Sequence, residues 1–359
     1  MLLSKLYLRN FRSYTESDFS FAPGINLIYG GNGQGKTTVL EAIYCLMTGR
    51  SFRTSQSDDM IQQGQEQFYL EALFIKNQVE QKLRITQSES DRKIIYNSTV
   101  CPSLNSLFGI LSGVLINPND QLISGSPALR RNFLDMHISQ ADPLYLHHLT
   151  RYHRALKQRN ALLRKPSQAA IESWEQELAA AAVYITQQRR VAIEELAKSS
   201  RDIYYLLSGT THFLTLHYQT KAPAQDLKEF FLKQYQQNRP RESILGSTMS
   251  GPHRDELLVS LQGQEARYFA SEGERRACMS ALRLASWHRL KEQIQDAPLL
   301  LFDDAGLSLD HSRKAKTIEY LATLGQVFLT STEKFSLPAS APESQFFYIS
   351  QGEQLPEPQ

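Results

Sequence analysis

Eight consecutive residues, Gly30-Gly31-Asn32-Gly33-Gln34-Gly35-Lys36-Thr37, satisfy the spacing Gly-x4-Gly-Lys-Ser/Thr. A loop of this kind surrounds phosphate oxygens with backbone N–H groups, and side chains at the glycines would block that approach. Lys36 is expected to reach the β- and γ-phosphates as a point charge. The Thr37 hydroxyl, followed by Thr38, is expected to ligate Mg²⁺ together with an acid from a later strand. The run Pro298-Leu299-Leu300-Leu301-Phe302-Asp303-Asp304 supplies such an acid at the end of an apolar stretch. Asp303 is the expected Mg²⁺ partner, and Asp304, one residue on, is expected to polarise an attacking water. Two carboxylates after a strand also occur as a solvated turn or helix cap; the glycine loop upstream favours the ATP·Mg²⁺ reading.

The elements that must position these groups are legible around them. Ile25 to Tyr29 reads as a short apolar strand entering the loop. From Lys36 the apolar positions Val39, Leu40, Ile43, Leu46 and Met47 recur at helical spacing, and Gly49 suits the left-handed position that ends a helix. The first twenty residues read as paired strands, and residues 66 to 116 as a meander that includes Val114 to Ile116. Between about 128 and 207 the pattern becomes a helical hairpin, with Leu149, Tyr152, Leu156 and Leu163 on one stripe, Ile171, Trp174, Leu178, Ala181 and Ile185 on the other, and Lys165-Pro166-Ser167 as the break. Leu299 to Phe302, Val327 to Leu329 and Phe346 to Ile349 return to α/β character.

At 359 residues the chain is expected to form more than one domain, and its 41% hydrophobic content lies in the globular range. The net charge of +2 gives no overall field for a polyanion, so a nucleic-acid surface would have to be local. Cys45, Cys101 and Cys278 lie far apart, which suggests neither a disulfide framework nor a zinc site. Lys5 and Arg9 interrupt the N-terminal apolar stretch, and no run is long enough to span a bilayer. A cytoplasmic protein without a membrane partner is expected.

Ser271-Glu272-Gly273-Glu274-Arg275-Arg276 opens a helical stretch upstream of the acidic strand. It resembles an ABC-type signature, whose Ser and Gly contact the γ-phosphate held by a second subunit. Ser271 with Glu274 three residues on also spells an ordinary capping box, and both readings stand together. Four further segments, Leu8-Arg9-Asn10-Phe11-Arg12-Ser13-Tyr14, Gly49-Arg50-Ser51-Phe52-Arg53-Thr54, Gly125-Ser126-Pro127 with Arg130-Arg131-Asn132-Phe133-Leu134-Asp135, and Gly251-Pro252-His253-Arg254-Asp255, are similar to those of the RecF family of bacterial recombination-repair ATPases.

That resemblance implies an α/β, P-loop NTPase head of the ABC type, SMC- and Rad50-like, with mixed sheets and an inserted helical arm or lobe II. It implies head segments over 1–125 and 265–359 around an insert over 126–264. The implied function is a weak ATPase of DNA repair and replication that closes as an ATP-dependent homodimer on single-stranded or gapped DNA. With RecO and RecR it would assist loading of RecA and the SOS response. Ser271 and Gly273 would be the trans contacts. The chain departs from the family pattern at Glu272 and Glu274, where Gln is usual, at Leu307-Ser308-Leu309-Asp310 after the acidic strand, and at Asn119 in Pro118-Asn119-Asp120-Gln121-Leu122.

Residues 143 to 170 contain no acid but carry Arg151, Arg154, Lys157, Arg159, Arg164 and Lys165. This stripe is either a DNA-contacting surface or a solvated helix face, and the resemblance favours DNA. Arg50 and Arg53 are weaker candidates. His253 reads as a hydrogen-bonded structural histidine. The ATPase subunit of a transporter and a P-loop kinase for a small metabolite are the alternatives from other classes.

Overall fold

The computed structural model describes residues 1–165, 170–304, 311–338, 341 and 343–356. The chain divides into two compact units: unit 1 comprises Met1–Asp120, Leu206–Gly209 and Met279–Gln359, and unit 2 comprises Gln121–Tyr205 and Thr210–Cys278. These boundaries fall at 120/121 and 278/279, against 125/126 and 264/265 in the sequence reading. The second lies inside a continuous helix, where no turn residue marks it.

In unit 1, β1 (Leu2–Phe11) and β2 (Tyr14–Ser20) pair antiparallel, as their alternation requires. β3 (Ile25–Tyr29) is buried at all five positions and leads into α1 (Lys36–Thr48), which Gly49 closes with its N–H on the Cys45 carbonyl at 2.7 Å. β4 (Gln67–Lys76), β5 (Val79–Ser88), β6 (Arg92–Tyr96) and β7 (Thr99–Val100) form a meander, giving one antiparallel sheet of order β2-β1-β4-β5-β6-β7. β8 (Gly113–Ile116) does not continue that meander, contrary to expectation. It pairs parallel elsewhere, and its four fully buried residues show the unbroken apolar run of a strand covered on both faces.

Unit 2 contains α2 (Pro127–Ser139), α3 (Pro143–Leu163), the 38-residue α4 (Ile171–Ser208, ending in unit 1), β9 (Leu214–Gln219), α5 (Leu227–Leu245), β10 (Glu256–Leu261), β11 (Gln264–Glu265), α6 (Ala266–Phe269) and the first turns of α7 (Glu272–Ile294). Its sheet is a three-stranded antiparallel β11-β10-β9. Helices α3 and α4 lie antiparallel, as the expected hairpin requires, with Tyr184 on Asp142, Arg151 on Glu177 and Arg159 on Glu175; Pro166 and Ser167 of the expected break lie outside the described residues. The buried face of α3 runs through Tyr145, Tyr152, Ala155, Arg159 and Leu163, with Leu149 and Leu156 at its half-buried margin.

The chain re-enters unit 1 within α7, at Met279, and continues with β12 (Leu299–Phe302), α8 (His311–Leu321), β13 (Val327–Ser331), β14 (Gln345–Ser350) and β15 (Glu353–Leu355). The second sheet has order β15-β14-β3-β13-β12-β8 and is parallel except for β15. Helix α1 lies between the two sheets, and its Val39, Leu40, Ile43 and Leu46 join Leu6, Leu8, Phe68, Leu301 and Phe328 in one core. The ends of β3, β12 and β13 therefore converge at the start of α1, as open parallel sheets place their ligand crevices.

Candidate nucleotide-binding site

The loop between β3 and α1 keeps glycine where a side chain would collide. At Gly30, φ is +149° and a Cβ would meet the Ile349 carbonyl oxygen at 2.2 Å; at Gly35, φ is +106° and the Tyr14 ring lies 3.1 Å from that position. The turn after β14 pins the same loop: Gln351 N–H donates to Gln34 Oε1 at 2.7 Å and Gly352 N–H to the Gln34 carbonyl at 2.9 Å. Loop residues 33–38 open into a cleft of about 530 Å³ whose wall also includes Arg12, Ser13, Arg53 and Asp59.

Lys36 is buried, and its Nζ donates to the Gly30 and Gly31 carbonyls at 2.8 and 2.6 Å. Burial lowers its pKa, and the carboxylates of Asp304 and Asp303 oppose that shift. The ammonium thus rests on loop carbonyls that an incoming phosphate oxygen can replace. Thr37 Oγ1 donates to Asp303 Oδ1 at 2.9 Å, joining residues 266 positions apart. Asp303 is 6% exposed, and its N–H is fixed by the Ile116 carbonyl of β8 at 2.9 Å. The two oxygen donors expected from the sequence are thereby brought together. Asp304 follows in the left-handed region, φ 57°, with its N–H on Thr330 Oγ1 at 2.7 Å.

Sequence reasoning missed a second ionic group in this wall. Glu41 is fully buried in α1 and accepts Arg12 Nη2 at 2.6 Å, Ser51 Oγ at 2.5 Å and Arg53 Nη1 at 3.3 Å. Its signal was present: Glu41 lies four residues after Thr37, on the same helix face, among apolar neighbours. Arg53, read as a weak DNA candidate, is exposed and also reaches this carboxylate from the cleft wall, while Arg12 is its closer cation.

Ser271 caps α7. Its N–H and Oγ both reach Glu274 Oε2 at 2.8 Å, and Glu274 N–H returns to Ser271 Oγ at 3.3 Å, a reciprocal capping box. His212 Nδ1 lies 3.4 Å from the other Glu274 oxygen. The hydrogen bonds from Ser271, foremost, hold the Glu274 carboxyl below its ordinary pKa. Glu274 is thus accounted for within the chain, whereas a Cβ at Gly273 meets nothing within 4 Å among the described residues. Further along α7, Arg283 Nη2 pairs with Asp120 at 2.5 Å. The segment Leu307 to Asp310 lies outside the described residues.

The basic stripe divides. Arg159 is 0% exposed and closed on Glu175 at 2.9 Å, Glu242 at 2.7 Å and Thr248 at 2.8 Å, so it is withdrawn as a DNA contact. It occupies the helix face that also carries Tyr152 and Leu163. Arg151 pairs with Glu177 at 2.5 Å, and Arg164 Nε donates to the Gly246 carbonyl at 3.1 Å. Arg154, Lys157 and Lys165 are exposed. His253 is structural, as expected: Nδ1 lies 2.5 Å from Tyr152 Oη and Nε2 3.0 Å from the Thr248 carbonyl, and burial pushes its pKa down to about 4. Among the described residues no helix is long and apolar enough to cross a membrane.

The family model described as RecF/RecN/SMC N terminal domain matches residues 2–353. A "DNA replication and repair protein RecF" of Protochlamydia amoebophila is 51% identical over 339 residues, covering 93% of this chain and 94% of the relative. The protein of the same description from Chlamydia trachomatis serovar L2 is 36% identical, covering 92% of each. A solved structure of the recombination mediator protein RecF-ATP in the RecFOR pathway superposes with a TM-score of 0.91 at 28% identity, over 99% of this chain and 98% of that one. An Smc head domain from Pyrococcus furiosus, at 17% identity and a TM-score of 0.58 over 98% of this chain and 94% of that one, shares the fold. A transporter subunit or metabolite kinase accounts for none of this end-to-end similarity. The chain belongs to the RecF family.

Proposed function

We propose that this protein is an ATP-binding DNA-repair and replication protein in which nucleotide state controls self-association and the grip on DNA. The observation that carries the reading is the Thr37 hydroxyl on the Asp303 carboxylate at 2.9 Å, beside a lysine held in a glycine loop. The hydroxyl and carboxylate are hard oxygen donors, the kind Mg²⁺ takes, and the bound ion screens charge on the phosphate oxygens. On nucleotide binding Lys36 exchanges the Gly30 and Gly31 carbonyls for β- and γ-phosphate oxygens, while the N–H groups of residues 30 to 38 enclose the phosphates. Asp304 orients the attacking water. Ser271 and Gly273 of a second copy complete the site; the open space around a Cβ placed at Gly273, empty to 4 Å among the described residues, supports this by leaving room for a close approach.

Hydrolysis is slow and serves to release the closed dimer. The outer segments of the chain form the ATPase head and the middle segment the inserted lobe. DNA, single-stranded or gapped, is met by Arg154, Lys157 and Lys165, with Arg151 and Arg164 adjoining. RecR and RecO act with it in the cytoplasm to assist RecA loading and the SOS response. Fluorescence anisotropy on a gapped DNA at fixed salt tests the reading. ATP is expected to tighten binding several-fold over ADP, and Lys36→Ala to abolish the difference. Binding indifferent to nucleotide in the wild-type protein would sink it.

A further inference from the structure

The Thr330 hydroxyl touches both carboxylate residues of the site. Thr330 is 1% exposed, near the end of β13, the strand between β3 and β12. Its Oγ1 lies 2.7 Å from Asp303 Oδ1 and 2.7 Å from the Asp304 nitrogen. The direction of both bonds is fixed by chemistry. An ionised carboxylate only accepts and an amide N–H only donates, so Thr330 gives its single proton to Asp303 and takes the Asp304 N–H on a lone pair. One oxygen of Asp303 is consequently held from two sides, by Thr37 from the helix and by Thr330 from the sheet.

We propose that Thr330 is a positioning residue for ATP hydrolysis, fixing the Asp303 carboxylate and the Asp304 backbone through one hydroxyl. This rests on the reading of Asp304 as the residue that orients water. When Thr37 turns from Asp303 toward the nucleotide's metal, Thr330 remains as the donor that keeps the carboxylate in place. The Asp304 backbone has a left-handed φ of 57°, a region uncommon for residues other than glycine. Its N–H bond to Thr330 sets where the chain turns after β12 and hence where the Asp304 side chain starts. Neither contact requires nucleotide, so the site is organised before ATP arrives.

The test compares Thr330→Val, which keeps the shape and removes the hydroxyl, with Thr330→Ser, which keeps the hydroxyl. Single-turnover phosphate release should fall at least about tenfold in Thr330→Val, with affinity for a fluorescent ATP analogue held within about threefold, a loss confined to the chemical step. Thr330→Ser should restore the rate. In nucleotide-free protein, amide hydrogen exchange at residues 299–304 should rise in Thr330→Val and stay at the wild-type level in Thr330→Ser. Wild-type rate and exchange in Thr330→Val would overturn the proposal. So would a loss spread evenly over rate, affinity and exchange throughout the chain, which marks a merely structural role. If the wild-type protein hydrolyses no ATP, the reading of Asp304 fails, and unchanged local exchange would then refute the role of Thr330 separately.

Discussion

Unit 2 closes the buried Arg159 on carboxylates, whereas unit 1, which closes Glu41 in the same way, leaves the buried Lys36 on neutral carbonyls at the wall of a cleft. Around Arg159, the guanidinium donors are taken by Glu175, Glu242, Thr248 and the Tyr235 carbonyl, and the group stacks 5.1 Å from the Tyr235 ring. Around Asp303, the carboxylate accepts two hydroxyls and the backbone N–H donates to the Ile116 carbonyl of a neighbouring strand, while the lysine alongside rests on loop carbonyls. A guanidinium surrounded by carboxylates has nothing left for a ligand. An ammonium on neutral carbonyls gains when an anion replaces them. Burial of charge therefore does not by itself mark a functional site; the kind of partner does.

This contrast can be broken most forcefully at Arg159. Replacing it by Ala takes the cation from the fully buried Glu242 and leaves Glu175 with Arg239 alone, and should lower stability by about 3–5 kcal/mol. Arg154→Ala, on the exposed side of the same helix, should change stability by less than about 0.5 kcal/mol. Equilibrium urea unfolding of both variants checks the pair, and equal effects would show that the face of α3 is misassigned.

A smaller effect is expected from His253. Its pKa stands at about 4 in the folded protein against an ordinary 6.5, with burial the main cause and Arg254 and Arg131 adding to it. The unfolded chain thus binds the proton first as pH falls. Stability from this group is complete above pH 6.5 and is lost between 6.5 and 4, by up to about 3 kcal/mol. Asp255 works in the other sense, since burial raises its pKa. The difference between wild-type and His253→Asn stability profiles isolates the histidine, and a flat difference across that window would contradict the assignment.

The mildest effect sharpens the solvated side of the comparison. If Arg154 and Lys157 each neutralise one phosphate, the double Ala variant should reduce the slope of log affinity against log salt by about 1.8, with no sequence preference altered. An unchanged slope would leave these residues as a solvated face.

Much of unit 1's chemistry was legible because turn and strand chemistry fix it locally. The glycine spacing demanded the loop, the apolar run before Asp303 demanded a buried strand, and together they put Thr37 and Asp303 within one hydrogen bond. What escaped were properties of the third dimension. Periodicity cannot say which cation of a basic run lies inside, so Arg159 read like Arg154. A four-residue apolar run fits a meander or a parallel sheet equally well, which is why β8 was misplaced. Glu41 and Thr330 act through partners brought together by the fold: Arg12 lies 29 positions from Glu41, and Asp303 lies 27 from Thr330. Ser271 was readable both ways because the hydroxyl that closes the cap with Glu274 is also the group the proposed trans contact would use.

The most direct test of the account is equilibrium titration of a fluorescent ATP analogue, with magnesium, into the wild-type protein, Lys36→Ala and Arg154→Ala. Saturable one-site binding is expected in the wild-type protein and in Arg154→Ala, with a loss of at least about a hundredfold, ~2.7 kcal/mol, in Lys36→Ala. Equal affinity in all three would mean that the glycine loop does not hold the nucleotide, and the central assignment of unit 1 would be wrong.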